Sequence, residues 1–263
     1  MRTALLLYAG YLAIFFATWA VNGADYPRIG ESAETIRRWY AYPTLLGCVF
    51  LVIAITALGW WRIALFERSR SGPTWVWILP AVVAAIVLAR FLGLQRGKLS
   101  FELLVWSTLG AVGVGFGEEM ITRGSMVVGL RSRFPEARVW LFSTLLFSAL
   151  HVPNVVFGLP SWQMPFQLLL TFIFGSGMYV MRRASGTLIL PMVLHGLWDS
   201  SLFLSVATGE TPSAAQYLVY PLSIVCVIAV LRRGRRTGDD PGSAAKASTP
   251  ADIPRADDRR SAA

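Results

Sequence analysis

The chain has 263 residues, of which 55% are hydrophobic and only 15% charged, and its formal net charge is +9. This composition excludes an ordinary soluble globular domain and is typical of a polytopic membrane protein. The positive charge does not indicate a nucleic-acid partner, because most Arg and Lys residues flank apolar segments, as topology signals do. The two cysteines, Cys48 and Cys226, lie inside apolar segments and predict neither a disulfide framework nor a thiolate metal site.

Apolar segments long enough to cross a bilayer, about 20 residues each, recur along the whole chain. They lie near residues 4 to 22, 41 to 61, 74 to 94, 101 to 124, 138 to 158, 165 to 181, 186 to 207 and 214 to 231. The pattern predicts an all-α fold with about eight transmembrane helices. The loops on the same side of the membrane as the N-terminus carry most of the arginines, so both termini are expected in the cytoplasm. The protein is expected in the cell (plasma) membrane.

The first three segments predict packing and anchoring elements. Their aromatic ends, including Trp19, Trp39 and Tyr40, are typical of side chains at the membrane interface. Arg90, placed near the cytoplasmic end of the third segment, is expected to snorkel to that interface.

Segment four differs from the first three because glycines lead into its charged residues. Gly113 and Gly117 stand one helical turn apart and predict close approach of a neighbouring helix.

Charged and imidazole side chains follow these glycines inside apolar segments, where an ionised group is unfavourable by several kcal/mol unless it is paired or functional. They are Glu118, Glu119 and Arg123 in segment four, His151 in segment five, and His195 and Asp199 in segment seven. The rise of 1.5 Å per helical residue places the first glutamate and the two histidines at one depth, roughly 16 to 20 Å from the cytoplasmic boundary.

Spacing separates the two glutamates. Glu119 and Arg123 are four residues apart and are expected to form an ion pair on one helix face. Glu118 points about 100° away and is left as the reactive carboxylate. The same four-residue spacing places Phe147 beside His151, and His195 beside Asp199.

Two hydrolytic chemistries fit these residues. In one, Glu118 and His151 activate a water, while His195 and Asp199 polarise the substrate carbonyl. A protonated Asp199 would donate to the oxyanion, whereas an ionised one would orient His195. In the other, Glu118, His151 and His195 bind a zinc ion whose water is the nucleophile. The H-E-x-x-H motif is absent, and spacing alone leaves both the zinc and the metal-independent mechanism open.

Three motifs in this order resemble the CPBP family, the intramembrane CAAX-processing and bacteriocin-processing (Abi) proteases. They are E-E-x-x-x-R at 118–123, F-x-x-x-H at 147–151 and H-x-x-x-N/D at 195–199. The resemblance implies an eight-helix membrane fold and peptide hydrolysis by water that Glu118 and His151 activate, with His195 and the last motif residue supporting the oxyanion. Prenyl-protein proteases of this kind carry Asn where this chain has Asp199, which argues against a prenylated substrate.

The resemblance divides the chain into four parts. Residues 1–99 are N-terminal transmembrane helices, 100–207 the CPBP-like catalytic core, 208–231 the last transmembrane helix, and 232–263 a disordered cytoplasmic tail. The predicted function is an intramembrane endopeptidase, glutamate- or metal-dependent, whose partners are membrane lipids and a membrane-associated or lipid-modified peptide. The alternatives are a non-catalytic bacteriocin-immunity or scaffold protein using the same polar cavity, and a proton-coupled transporter.

Overall fold

Helices form nearly the whole of the computed structural model, which describes residues 1–211 and 213–237. Within these residues no β-strand is formed, and one isolated bridge joins Phe66 to Thr187. In chain order the main helices are α1 Arg2–Asn22, α2 Ala33–Leu58, α3 Thr74–Gly93, α4 Phe101–Glu119, α5 Met126–Arg131, α6 Glu136–Ala149, α7 Met164–Ser185, α8 Ile189–Thr208 and α9 Val219–Thr237. The all-α prediction is confirmed.

Six of these helices are long and apolar enough to span a membrane: α1, α2, α3, α7, α8 and α9. The protein is therefore a polytopic membrane protein, but two of the eight predicted segments differ from the others. The fourth carries three carboxylates on α4. The fifth, α6, has only 14 residues, about 21 Å at 1.5 Å per residue, which is shorter than the hydrocarbon core.

The two exceptional helices end in irregular turns at the predicted motifs. After Glu119 the chain makes a π-helical turn, Met120–Ser125, before α5 begins. Such turns are frequent at functional sites. Helix α6 ends at Ala149, just before His151, and a 3₁₀ turn at Val152–Val155 follows. Pro153 in that turn cannot donate a helical hydrogen bond, which explains why the helix does not continue.

Glycines bring α4 against three other helices. A Cβ atom on Gly115 would lie 2.2 Å from the Met192 carbonyl oxygen of α8, and one on Gly196 of α8 would lie 2.2 Å from the Ala111 oxygen. Only glycine permits this backbone approach. The predicted pair also packs closely, with Gly113 against Thr44 of α2 and Gly117 against Tyr11 of α1.

Five charged residues, the loop cluster, join three connections at one end of the bundle. Its two acids are Glu67 and Glu136, and each of their four carboxylate oxygens contacts an arginine side chain. The shortest N···O distance of each oxygen is between 2.5 and 3.0 Å. Its members are Glu67, Arg131, Glu136, Arg182 and Arg183. The connections after α2, α5 and α7 therefore lie on one side, as the arginine distribution predicted. That this side is cytoplasmic stays a prediction.

The first three helices do more than anchor the chain. Trp19, Trp39 and Tyr40 are buried in one apolar cluster, so these side chains pack inside the protein, and their position at the membrane interface stays a prediction. Arg90 is also buried and does not snorkel. Its guanidinium lies 4.1 Å from the centre of the Trp198 ring and donates to Gln216. Ser201 and Gln216 accept hydrogen bonds from this guanidinium within the protein.

The last helix reaches Thr237, beyond residue 232 where the sequence predicts the tail to begin. The rest of the predicted tail, residues 238–263, lies outside the described residues.

Candidate active site

The two adjacent glutamates of α4 face different surroundings. Glu119 is fully buried, and its Oε1 lies 3.1 Å from Nη1 of Arg123, which is also fully buried. The predicted ion pair therefore forms. The Glu118 side chain is 13% exposed and points about one-third of a helical turn away, as the 100° step per residue requires. We call Glu118, Glu119, Arg123, His195 and Asp199 the site cluster.

Arg123 is fixed on several sides. Nη1 also donates to Thr122 Oγ1 at 2.9 Å, and the guanidinium lies 3.8 Å from the centre of the Phe147 ring. A Cβ on Gly175 of α7 would lie 2.4 Å from Nη2, so this glycine leaves the space that the arginine fills. The Phe of the second motif therefore has a physical role, which is to stack on the Arg of the first.

His195 joins the acids of the site cluster. Its Nδ1 lies 2.9 Å from Glu119 Oε1, and because a carboxylate only accepts hydrogen bonds, Nδ1 carries a proton. Its Nε2 lies 4.0 Å from Glu118 Oε2 and 3.9 Å from Asp199 Oδ2. Glu119 thus holds the ring so that Nε2 faces the other two carboxyl groups, an arrangement typical of an oriented imidazole.

His151 follows the end of α6 and has no direct contact with Glu118. Its Nδ1 lies 3.3 Å from the Phe147 carbonyl oxygen. The imidazole within 4.0 Å of Glu118 is that of His195, and His151 lies farther away. Phe147 packs edge-on against both imidazoles, with ring centres 5.6 Å apart in each case. The sequence predicts that Glu118 and His151 activate a water together, and both residues line one cavity.

That cavity is lined by Glu118, His151 and Asp199, and leaves about 90 Å³ for water-sized molecules. This volume holds several waters. Tyr11 of α1 and Tyr40 of α2 also line it. The sequence assigned these helices only packing and anchoring roles, because an aromatic residue in an apolar segment carries no signal of which cavity it faces.

The predicted zinc ligands are Glu118, His151 and His195. Among the described residues, no group of three or more His, Cys, Asp and Glu side chains is arranged to hold a metal ion. His195 Nδ1 is engaged by Glu119, and His151 Nδ1 faces a carbonyl. Only the Nδ1 atoms of the two imidazoles have these contacts, and zinc binding by the three residues stays a prediction.

The helices and the cavity define a class: polytopic all-α membrane proteins with carboxylate and imidazole groups around a cavity. Residues 100–201 match the family described as "Type II CAAX prenyl endopeptidase Rce1-like". This segment contains all three motifs, and the match is consistent with the CPBP resemblance that they carry. The match points to a protease of membranes with a protein substrate. No curated protein and no solved structure matches the chain.

Proposed function

We propose that the protein is an intramembrane endopeptidase that hydrolyses a peptide bond with water activated by Glu118. The observation that carries the proposal is the cavity in which Glu118, His151 and Asp199 meet, beside an imidazole that a buried glutamate orients. The match of residues 100–201 to CAAX endopeptidases supports the same reaction class.

The reaction begins with a water between Glu118 and His151, which both line the cavity. The Glu118 carboxylate takes a proton from this water, and His151 orients it with its free ring nitrogen. The water oxygen then bonds to the peptide carbonyl carbon, and negative charge moves to the carbonyl oxygen. Glu118 returns the proton to the amide nitrogen as the C–N bond breaks, which gives a carboxylic acid and an amine.

His195 and Asp199 stabilise the negative charge that develops on the carbonyl oxygen. A protonated Nε2 of His195 donates toward the oxyanion, and its 2.9 Å contact with Glu119 keeps the ring in place. Asp199 lies 3.9 Å from Nε2 and, when ionised, favours the imidazolium form of His195. The substrate is a membrane-associated peptide, and the cell membrane is the expected location. Zinc stays a separate prediction, which metal analysis of the purified protein tests.

The experiment compares wild-type protein with Glu118→Gln, each reconstituted in liposomes and incubated with a membrane-protein extract from cells lacking the protein. Mass spectrometry identifies new peptide termini. The wild type is expected to generate termini that Glu118→Gln does not, because glutamine cannot accept a proton from water.

The matched control is Glu102→Gln. Glu102 lies on the same helix, but its side chain is 57% exposed and 3.9 Å from Arg37. This variant should yield the wild-type termini. Termini that persist in Glu118→Gln, or a wild type that yields none while the protein still protects cells or assembles with a partner, would favour the non-catalytic immunity or scaffold function.

A further inference from the structure

Arg90 is a buried cation outside the site cluster. It lies on α3 and is 7% exposed, and its guanidinium contacts the Ser201 hydroxyl at 3.2 Å, the Gln216 side-chain oxygen at 2.6 Å and the Trp198 ring at 4.1 Å. All three partners are neutral, and within the described part of the chain Arg90 forms no ion pair. Since an ionised side chain inside a membrane is unfavourable unless it is paired or functional, a cation without a counter-charge indicates a functional role.

Two of the three partners belong to α8. Trp198 and Ser201 are three residues apart and therefore lie on the same face of this helix. The planar guanidinium stacks on the first and donates to the second, a combination that lysine does not reproduce. Arg90 thus holds one face of α8 against α3.

A second polar contact holds α8 against α4. Ser200 Oγ lies 2.7 Å from Ser107 Oγ, and both serines are buried. The step of 100° per residue places Asp199, Ser200 and Ser201 on three different faces of α8. Contacts on two of these faces fix the rotation of the helix about its axis, and the face that carries Asp199 lines the cavity.

A row of rings connects Arg90 to the imidazole of the site cluster. Trp198 lies 5.3 Å from Phe174 of α7, and Phe174 lies 5.4 Å from His195, both measured between ring centres. All three side chains are buried. Because a closely packed interior transmits strain, a displacement of Trp198 moves His195 as well.

The rotation of α8 sets the position of His195 against α4. Its Nδ1 lies 2.9 Å from Glu119 and its Nε2 lies 4.0 Å from Glu118. Asp199 is carried on the same helix one turn later. A rotation of α8 would therefore change these distances together, and a displacement of about 1 Å at a catalytic group lowers a rate about 10²-fold.

We propose that Arg90 is a positioning residue for the hydrolysis, which fixes the rotation of α8 through Trp198 and Ser201 so that the two site residues of this helix face the cavity. Arg90 does not itself line the cavity and acts through α8. This inference rests on the proposed function and extends its machinery to α3, outside the matched segment 100–201. It explains why a cation is kept without a counter-charge, because the role requires a group that stacks and donates at once.

The test uses Arg90→Met and Arg90→Lys in the reconstituted protein. The probe is a synthetic peptide that spans the cleavage site identified by its dependence on Glu118. Arg90→Met should lower kcat about 10²-fold with little change in KM, because Arg90 does not touch the substrate. Arg90→Lys should lower kcat less, since an ammonium reaches one partner at a time. The thermal stability of Arg90→Met should stay constant or rise, because an apolar side chain replaces an unpaired buried charge.

The two hydrogen-bond partners of Arg90 provide a matched pair of variants. Ser201→Ala and Gln216→Leu each remove one hydrogen bond to the guanidinium, but only Ser201 lies on α8. Ser201→Ala should lower kcat about tenfold, the rate equivalent of one hydrogen bond. Gln216→Leu should keep kcat within about threefold of the wild type.

A His195→Gln background supplies a second readout. Asp199 acts through His195, so the position of α8 no longer affects the chemistry once this imidazole is absent. Arg90→Met should then change kcat by less than about threefold, whereas a merely structural arginine would lower kcat by the same factor in both backgrounds.

Three results would overturn the inference. If Arg90→Met keeps kcat within about threefold while Glu118→Gln is inactive, Arg90 does not position the site and the proposed function stands. If Arg90→Met lowers kcat equally in the wild-type and His195→Gln backgrounds and also lowers the melting temperature, the arginine is structural. If no cleavage depends on Glu118, the proposed function fails and this inference fails with it.

Discussion

The loop cluster and the site cluster both contain buried charges, and they differ in how completely their carboxylates are paired. In the loop cluster each oxygen of Glu67 and Glu136 contacts an arginine. In the site cluster Glu119 Oε2 has no hydrogen-bond partner among the described residues, and Glu118 and Asp199 lie about 4 Å from His195. Arginine contacts at every oxygen offset the cost of burying the loop-cluster carboxylates, whereas carboxylates without such contacts are available to bind and react.

One arginine connects the two clusters. Arg182 is fully buried, donates from Nε to Glu67, and donates from Nη1 to the carbonyl oxygen of Arg123. That carbonyl belongs to the π-helical turn after Glu119. The loop cluster therefore holds the turn from which Arg123 reaches Glu119, so a stable group of charges supports a reactive one.

The largest effects on activity and stability are expected when each of the two adjacent glutamates is replaced singly by glutamine. Glu118→Gln should lower activity about 10²–10⁴-fold, the usual contribution of a general base, and leave stability nearly unchanged. Glu119→Gln should lower activity at least about 10²-fold, because His195 loses its orienting partner. It should also destabilise the protein by about 3–5 kcal/mol, because Arg123 stays buried without its counter-charge.

Activity and thermal unfolding in detergent micelles, measured on both variants, separate these outcomes. Equal stability losses in the two variants would show that the glutamates do not have different roles. The Glu102→Gln variant, with its exposed side chain on the same helix, serves again as the control for the chemical change.

The next largest effect concerns the loop cluster. Glu67→Gln should destabilise the protein by about 3–5 kcal/mol, since three arginines lose the carboxylate they share. Glu31→Gln is the control, because Glu31 is 46% exposed in its pair with Arg28 and such a pair contributes at most about 1 kcal/mol. Similar melting temperatures for the two variants would contradict the difference drawn between buried and exposed pairs.

Low pH should destabilise the protein through the Glu67 carboxylate. Burial alone would raise the pKa of Glu67, but Arg182, Arg131 and Arg183 outweigh it and lower the pKa from 4.5 to about 2. A lowered pKa stabilises the fold above the unfolded value, so about 3 kcal/mol should be lost as the pH falls from about 4.5 to 2. Stability measured against pH should show this loss in the wild type and much less of it in Glu67→Gln.

The sequence predicts much of the site because helical spacing is a local property. The pairing of Glu119 with Arg123 and the nearness of His195 to Asp199 both follow from four-residue spacing on one helix. The depth of the motifs also brings α4, α6 and α8 together. Which imidazole lies nearer to Glu118 depends on how these helices rotate against each other, and spacing within one helix carries no information about that.

The contributions of the N-terminal helices could not be predicted for a related reason. Tyr11 and Tyr40 occur in apolar segments like many other aromatic residues, and only the packing against Gly117 and Gly110 turns them toward the cavity. Glu67 lies in a loop and meets Arg182 across 115 residues of sequence. The arginine distribution predicted that the two connections containing these residues lie on one side of the membrane, but it did not predict the ion pair between Glu67 and Arg182.

The smallest predicted effect tests the packing beside the site cluster. Gly175→Ala adds a Cβ that would lie 2.4 Å from Arg123 Nη2 and 2.7 Å from Phe147 Cδ1. Overpacking of this kind destabilises by about 1–3 kcal/mol, and displacement of Arg123 should also lower activity. Gly93→Ala on α3 is the control, because its Cβ would meet no atom within 4 Å. It should gain up to about 0.5–1 kcal/mol from the better helix former. If Gly175→Ala and Gly93→Ala shift the melting temperature in the same direction, Arg123 does not require the absence of a side chain at Gly175.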